Sequence, residues 1–373
     1  MSQSRRTRAI HEGELRLLGS VTTPIFPATT YKYNGEDYHD VGYMRLSNTP
    51  NHRVLGQRLA SLEGTEAALV TGSGMSAISS VMLSELAPGD HVLVQDVLYG
   101  GTLSLIENVL KKFGVSFSRI DPQRQESWTV AKNTKAIYVE AITNPRVDIA
   151  DHRAVIAFAG QHGLTSIIDN TYASPVNFRP AELGYDIVIE SCTKYLNGHT
   201  DVIAGCVAST AARLRRIKET LDHVGGSLDT HACYLLERGL KTLDVRVRAQ
   251  NESAERIARW LEERDGVASV RHPSLKSHPQ HARAQELFDG FGGMLSFELE
   301  GGRAAADRML ERVRVFSHAA SFGGPESLMV SPSATHSVGD EVGSSLARSA
   351  LIRVSIGLED ADDLIADLDE ALS

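Results

Sequence analysis

The chain has 373 residues, of which 42% are hydrophobic and 23% charged, so its composition is that of a globular protein and its length suggests two domains. The formal net charge of -9 argues against electrostatic binding of nucleic acid. No stretch approaches about 18 apolar residues and the polar N-terminus has no apolar signal-peptide region, so we expect no transmembrane helix, no membrane partner and no secretion signal. The three cysteines match no metal-ligand spacing, and their small number favours a reducing, cytoplasmic compartment and no metal site.

The first two thirds of the chain have the pattern of an α/β fold. Residues 1–50 lack a steady hydrophobic period, which predicts an arm rather than a domain. After residue 53, helical periodicity alternates with short apolar runs, and the first helix is expected to end at Gly64. Strands are predicted at 67–70, 91–95, 115–120, 136–139, 165–168, 187–189 and 202–207. Strands alternating with helices are typical of βαβ units, so we expect a mostly parallel sheet.

The remaining third indicates a smaller α+β domain. A long amphipathic helix is predicted from Leu243 to Leu261, followed by strands at 267–270, 294–299, 313–316 and 351–355 and by an acidic helix over 360–372. The predicted organisation is therefore an arm over 1–50, a large domain over 51–235 and a small domain over 236–373.

Polar side chains follow several predicted strands of the large domain. Asp169 and Glu140 each end a strand, and Lys194 follows another together with two hydroxyl groups. In open α/β sheets, ligands bind beyond the carboxyl ends of the strands. An amine there can form a Schiff base with a carbonyl cofactor while hydroxyl groups hold a phosphate. The alternative for Lys194 on this stretch alone is an ordinary surface lysine.

A glycine-rich turn opens the helix that follows the first predicted strand. The free N–H groups at a helix N-terminus suit a phosphate, and the glycines of Gly72-Ser73-Gly74 allow a close approach of the backbone. A plain serine-capped turn has the same appearance, so the motif is weak alone.

The run from Ser191 to His199 closely resembles the cofactor-lysine signature of the Cys/Met-metabolism pyridoxal-phosphate (PLP) enzymes. This family includes cystathionine β-lyases, cystathionine γ-synthases and γ-lyases, methionine γ-lyases and homoserine sulfhydrylases. The resemblance covers nearly the whole chain, through Tyr43-Met-Arg45, Leu62-Glu-Gly64, Ser73-Gly-Met75, Tyr99-Gly-Gly-Thr102, Thr143-Asn-Pro145, Asp169-Asn-Thr171, Ser321-Phe-Gly-Gly324 and Ile352-Arg-Val-Ser-Ile-Gly-Leu-Glu359. It implies fold-type-I architecture, with helices on both faces of the central sheet, and PLP as the cofactor.

The resemblance also assigns roles to individual residues. Lys194 would bind the cofactor covalently and then transfer protons, and Asp169 would pair with the pyridine nitrogen. Tyr99 would stack on the ring and assist proton transfer to the leaving group. The phosphate would be held by Gly74, Met75, Ser191 and Thr193. The α-carboxylate of a small amino-acid substrate would be bound by Arg353, with Ser321 and Asn144 beside it.

Tyr43 and Arg45 match a pair that, in this family, reaches the cofactor phosphate of the neighbouring subunit. Their place in an arm without a core of its own agrees with that role, because such an arm needs a partner surface to become ordered. We therefore expect a homodimeric unit, doubled to a homotetramer.

A few positions depart from the family pattern. Asn48-Thr49-Pro50 replaces the usual Asn-Pro-Thr, which changes the local turn. Ala320 stands where many γ-synthases and cystathionine γ-lyases have Glu, and Gly101 stands where methionine γ-lyases often have Cys. Phe322 replaces a frequent Leu and is found in some β-lyases. These differences slightly favour β-elimination.

Several reactions remain open at this point. The first is α,β-elimination on cystathionine or a related cysteine S-conjugate, giving a thiol, pyruvate and ammonia. The alternatives are γ-replacement on an O-acyl-homoserine and γ-elimination. Less favoured are an aminotransferase on the same fold and a non-enzymatic cofactor-binding protein.

Overall fold

The computed structural model describes residues 3–33, 35, 41–331 and 350–373, and these residues form two β-sheets surrounded by helices. Residues 1–2, 34, 36–40 and 332–349, which belong to the predicted arm and small domain, lie outside the described part. The strands of the larger sheet are β1 Ala67–Thr71, β2 His91–Gln95, β3 Ser116–Ile120, β4 Thr134–Glu140, β5 Thr165–Asp169, β6 Ile187–Glu190 and β7 Gly205–Ser209. Their order across the sheet is β1-β7-β6-β5-β4-β2-β3.

The larger sheet is mostly parallel, as predicted. Strands β2 to β6 run parallel to one another, whereas β7 is antiparallel to both β1 and β6. The strand predicted over 202–207 begins later than predicted, at Gly205. Ala204 bonds to Thr193 instead, since its N–H donates to the Thr193 hydroxyl at 3.0 Å and its carbonyl accepts from the Thr193 N–H at 3.2 Å.

Helices cover both faces of this sheet. Successive strand residues alternate between two apolar clusters, so that Leu93 and Ile168 face one side while Val92 and Ile167 face the other. The helices of this part are α2 Pro50–Glu63, α3 Gly74–Glu85, α4 Gly100–Asn108, α5 His152–His162, α6 Ser174–Asn177, α7 Pro180–Leu183, α8 Ala211–Val224 and α9 Thr230–Leu240. Parallel strands buried on both faces bring their carboxyl ends to one edge, where the polar residues collect.

The second sheet has the strand order β10-β11-β12-β9-β8. Its strands are β8 Val267–Arg271, β9 Met294–Leu299, β10 Ser317–His318, β11 Leu328–Val330 and β12 Leu351–Ser355, and the helices that follow α9 are α10 Leu243–Glu262, α11 His281–Leu287, α12 Gly302–Arg312 and α13 Ala361–Leu372. Helices α10, α12 and α13 pack on this sheet around a separate apolar cluster.

The predicted strand over 313–316 was wrong. The backbone N–H groups of Arg314, Val315 and Phe316 donate to the carboxylate of Asp367 on α13, at 2.8–3.1 Å. These groups are therefore not available to a β-ladder, and only Ser317 and His318 form strand β10.

Part of the predicted arm lies against its own chain. Helix α1, Arg5–His11, packs on α2, where the Arg8 guanidinium donates to the Ser61 carbonyl at 2.9 Å. The predicted boundary between the large and small domains falls inside α9, and it stays a prediction. Every helix in the described part of the chain is too short or too polar to span a membrane.

Two acidic side chains meet in the interior below the carboxyl edge of the larger sheet. Glu63 ends α2, Glu190 ends β6, and both are buried. Burial raises the pKa of each carboxyl group, and the charge of Glu63 raises the pKa of Glu190 further. Ionisation of both carboxyl groups at once is therefore disfavoured, because two buried negative charges would repel each other.

Candidate active site

A cavity of about 570 Å³ opens at the carboxyl edge of the larger sheet. Ten of the twelve predicted site residues line it: Lys194, Tyr99, Asp169, Gly74, Met75, Ser191, Thr193, Arg353, Ser321 and Asn144. They come from both sheets and from four loops, so residues far apart in the sequence are brought together as expected from the strand ends.

Lys194 lies in the turn after β6, where its N–H donates to the Ser191 carbonyl at 3.0 Å. Its Nζ donates to Ser321 Oγ at 2.8 Å and lies 5.0 Å from the centroid of the Phe322 ring. Burial, and secondarily the charge of Arg353, lowers the pKa of Lys194 from 10.5 to about 8. A substantial fraction of the amine is therefore neutral near physiological pH, as a nucleophilic lysine requires.

Asp169, the last residue of β5, points into the cavity. Its Oδ1 accepts hydrogen bonds from the Thr171 N–H at 3.0 Å and the Thr171 hydroxyl at 2.5 Å. The Tyr138 hydroxyl donates to Oδ2 at 3.4 Å. Burial raises the pKa of Asp169, although these donors oppose the rise. A half-buried carboxylate held in this way is suited to pair with a protonated ring nitrogen.

The N-terminus of α3 forms one wall of the cavity. Gly74 and Met75 begin the helix, and the Ser73 hydroxyl caps it by accepting from the Ser76 N–H at 3.0 Å. A Cβ atom placed on Gly74 would lie 2.9 Å from Ser191 Cβ. Only glycine allows the free N–H groups of the helix to come this close to Ser191, which is the arrangement that a phosphate needs.

Arg353 lies on β12, almost fully buried, on the side of the cavity nearest to the second sheet. Its Nη2 donates to the Ser321 carbonyl at 2.8 Å and its Nη1 to Asn144 Oδ1 at 3.4 Å. Within the described residues its buried Nε has no hydrogen-bond partner. Because a buried donor without a partner is costly, this arginine is prepared to bind an anion.

Ser321 connects Lys194 to Arg353. Its hydroxyl accepts from the Lys194 amine and its carbonyl accepts from the Arg353 guanidinium. Its backbone φ is 108°, a conformation that residues with a side chain rarely adopt.

Tyr99 stands at the mouth of the cavity and precedes α4, with 45% of its surface exposed. Its backbone N–H donates to Glu140 Oε1 at 2.6 Å. Glu140 lines the cavity directly opposite Asp169 in the sheet register. Burial, and secondarily the charge of Asp169, raises the pKa of Glu140, and two backbone N–H donors offset part of the rise.

Sequence reasoning left several cavity residues without a role, among them Glu140, Thr171 and Tyr172. Glu140 was recognised as a polar strand end, which was the available signal. Its contact with Tyr99 depends on the packing of β2 beside β4 and has no signature in the sequence.

Tyr43 and Arg45 do not line the cavity. Tyr43 is 39% exposed, and the Arg45 guanidinium lies 5.8 Å from its ring centroid and donates to the Asp222 carbonyl at 2.6 Å. The structure therefore places this pair on the surface of its own chain, and its predicted role stays a prediction.

Comparisons with known proteins agree on one family. The sequence profile described as "Cys/Met metabolism PLP-dependent enzyme" matches residues 6–373. L-methionine gamma-lyase from Pseudomonas putida is 38% identical over 384 aligned residues, which cover 98% of this chain and 96% of that protein. Cystathionine beta-lyase from Lactococcus lactis subsp. cremoris (strain MG1363) is 37% identical, with 98% of each chain covered.

A solved structure is similar over the same length. The crystal structure of cystathionine gamma-lyase from Lactobacillus plantarum complexed with L-serine has a TM-score of 0.93, at 35% identity, covering 99% of this chain and 98% of that chain. The predicted fold-type-I architecture is thereby confirmed. The cavity also fits PLP, because it joins an amine of lowered pKa, a half-buried carboxylate and a helix N-terminus that only a glycine can bring close.

Proposed function

The chain belongs to the Cys/Met metabolism PLP-dependent enzyme family, and we propose that it is a carbon–sulfur lyase that acts on cystathionine or a related cysteine S-conjugate by α,β-elimination. The products are a thiol, pyruvate and ammonia. The observation that carries this proposal is the half-buried Lys194 amine, which shares one cavity with Asp169 and Arg353. Ala320, which also lines the cavity, supports β-elimination over γ-chemistry through the resemblance described above.

The cofactor would be held by side chains on three sides of the cavity. Lys194 would bind its aldehyde carbon, Asp169 its ring nitrogen, and Tyr99 would stack on the ring. Its phosphate would be bound by the N–H groups of Gly74 and Met75 and by the hydroxyls of Ser191 and Thr193. When bound, PLP supplies an aldehyde that holds the substrate nitrogen and a ring that takes up the electrons left at Cα.

The remaining groups bind the substrate and move protons. The Arg353 guanidinium would bind the α-carboxylate, with Ser321 and Asn144 beside it, since its Nε is free of partners among the described residues. Lys194 Nζ would take the proton from Cα, because its pKa of about 8 leaves much of the amine neutral. The Tyr99 hydroxyl would give a proton to the sulfur that leaves Cβ.

A second candidate is γ-elimination, which is favoured by the 38% identity with a protein named L-methionine gamma-lyase. In that case the leaving sulfur is attached to Cγ and the keto acid is 2-oxobutyrate. γ-Replacement on an O-acyl-homoserine uses the same first proton transfer at Lys194 and is tested beside it.

A substrate panel distinguishes these reactions. Purified holoenzyme would be given cystathionine, cysteine, methionine or an O-acyl-homoserine with and without cysteine, and pyruvate, 2-oxobutyrate and free thiol would be measured. Pyruvate and homocysteine from cystathionine would support the proposal. Release of 2-oxobutyrate alone, or acyl release that depends on added cysteine, would refute it in favour of γ-chemistry. Lys194→Ala should abolish every product and the visible cofactor band, and an unchanged band would refute the role of Lys194.

We further propose that the enzyme is a homodimer doubled to a homotetramer, with Tyr43 and Arg45 contributing to the neighbouring site. The exposed apolar residues Leu18 and Val21 before this pair support a covering partner. A monomer with full cofactor occupancy in sedimentation velocity would refute it. A reducing, cytoplasmic setting is also proposed, supported by three buried cysteines that are free thiols.

A further inference from the structure

Glu140 has contacts that its place at a strand end does not explain. It ends β4, is buried at 5% exposure and lines the cavity beside Asp169. Its carboxyl group makes no ion pair with an arginine or lysine within the described residues. It accepts the Tyr99 N–H at 2.6 Å and also the Asn144 N–H. Burial of a carboxyl group costs free energy, and the two backbone donors offset part of that cost. We therefore expect Glu140 to have a role at this position.

These two donors belong to the two loops that hold the reacting parts of the site. Tyr99 lies in the loop between β2 and α4 and provides the ring platform. Asn144 lies in the loop after β4 and accepts from the Arg353 guanidinium at 3.4 Å. The Glu140 carboxyl group therefore links Tyr99, which would stack on the cofactor ring, to Asn144, which contacts Arg353.

A second contact fixes Glu140 itself. Its backbone N–H donates to Gln95 Oε1 at 2.9 Å, and Gln95 Nε2 donates to the Val97 carbonyl at 2.5 Å. Gln95 is fully buried at the end of β2. The segment that leads from β2 to Tyr99 is thus held at two points, Val97 and Tyr99, by residues that end neighbouring strands.

We propose that Glu140 is a positioning residue that sets the placement of Tyr99 and, through Asn144, of Arg353. It acts through backbone hydrogen bonds and does not exchange a proton with the substrate. The proposal rests on the proposed function only in assuming that Tyr99 and Arg353 face the cofactor and the substrate. Its first consequence is that the Tyr99 amide is protected from hydrogen exchange, and this can be measured in the protein without cofactor.

The test compares Glu140→Gln and Glu140→Ala with wild type, using Glu107→Gln as the control. Glu107 is on α4, close to Tyr99 in sequence, and its substitution makes the same change from carboxyl to amide without touching the cavity. In the apo protein, hydrogen exchange of the peptide that contains Tyr99 should accelerate at least about tenfold in Glu140→Ala, because the Tyr99 amide loses its acceptor. Glu140→Gln keeps one carbonyl oxygen but loses the second acceptor, so its exchange should lie in between.

In the loaded protein, the circular dichroism of the cofactor band should fall in both variants, since it reports the ring environment. The KM for substrate should rise about tenfold or more, and its change should exceed the change in kcat at Glu140→Gln. Unchanged exchange and unchanged circular dichroism in folded Glu140→Gln would overturn the inference. If Glu140→Ala does not fold, Glu140→Gln alone decides. Absence of any cofactor band in wild type would instead refute the proposed function.

Discussion

Removal of the Lys194 amine should make the apoenzyme more stable. The fall of the Lys194 pKa from 10.5 to about 8 means that the folded protein disfavours the charged amine. At about 1.36 kcal/mol per pKa unit, the penalty is about 3.4 kcal/mol. The hydrogen bond from Nζ to Ser321 at 2.8 Å returns about 1 kcal/mol. Lys194→Met keeps the apolar stem, so we expect its free energy of unfolding at pH 7 to exceed that of wild type by about 2 kcal/mol.

The pH dependence has a definite sign. Well below pH 8 the amine is charged in both states and the full penalty applies. Between pH 8 and 10.5 the unfolded chain binds more protons than the folded one, so the stability of wild type rises with pH. The advantage of Lys194→Met should therefore be largest at pH 7 and nearly absent at pH 10.5.

The assay is urea denaturation of apo protein followed by far-ultraviolet circular dichroism at pH 7, 9 and 10, at one protein concentration. Lys132→Met is the matched control, because Lys132 is exposed in a loop, and its effect should stay within about 0.5 kcal/mol. Competitive acetylation with mass spectrometry gives the Lys194 pKa independently. A gain equal at all pH values, or an acetylation pKa near 10.5, would refute the reasoning.

Three other predictions concern the N-terminus of α3, the buried pair Glu63 and Glu190, and Asp367 beside the second sheet. Gly74→Ala should weaken PLP binding at least about tenfold in equilibrium dialysis, because its Cβ would meet a neighbour at 2.9 Å, whereas Gly160→Ala has open space and should not. The folded protein raises the pKa of Glu63, so the stability of wild type should fall as pH rises above the ordinary value of 4.5. Glu63→Gln should reduce this loss of thermal stability, because glutamine has no proton to lose and Glu190 no longer faces a second charge. Asp367→Ala should lower the free energy of unfolding by about 2–4 kcal/mol, because three backbone N–H groups lose their acceptor.

Each of these three predictions would be refuted by a different result. Equal cofactor affinity in the two alanine variants would show that the helix N-terminus does not need the glycine. A melting profile against pH that is identical in wild type and Glu63→Gln would show that burial does not raise the pKa of Glu63. For Asp367, the exposed Asp363 on the same helix serves as the control, and an equal loss in Asp363→Ala would attribute the effect to helix charge.

The strands of the larger sheet were predictable because apolar runs and turn residues mark them directly. The errors have physical causes. Residues 313–316 have strand-like apolar character, but Asp367, about fifty positions away, takes their N–H groups. Helix α8 was not predicted although Thr210 caps it and Gly225 ends it, because its mean composition is polar and only Leu214, Ile217 and Leu221 mark its buried face.

The site was predictable to a different degree for different residues. Asp169 ends a strand, Lys194 follows one, and both match a family motif, so the sequence predicted that both would lie at the cavity. The linking role of Glu140 depends on which strands are neighbours, since β2 precedes β3 in sequence but lies between β3 and β4 in the sheet. Such relations are properties of topology and are absent from any local pattern.

Ser321 makes the two ligands of this site interdependent. Its unfavourable backbone φ of 108° is held by one hydrogen bond to the Lys194 amine and one to the Arg353 guanidinium. In the proposed function the cofactor would engage the first partner and a substrate carboxylate the second, so each ligand would change one restraint on the same strained residue. We therefore expect thermodynamic linkage: an amino acid should change the affinity for the cofactor by the same factor by which the cofactor changes the affinity for the amino acid. The two hydrogen bonds of Ser321 would make it the residue that couples the two binding equilibria.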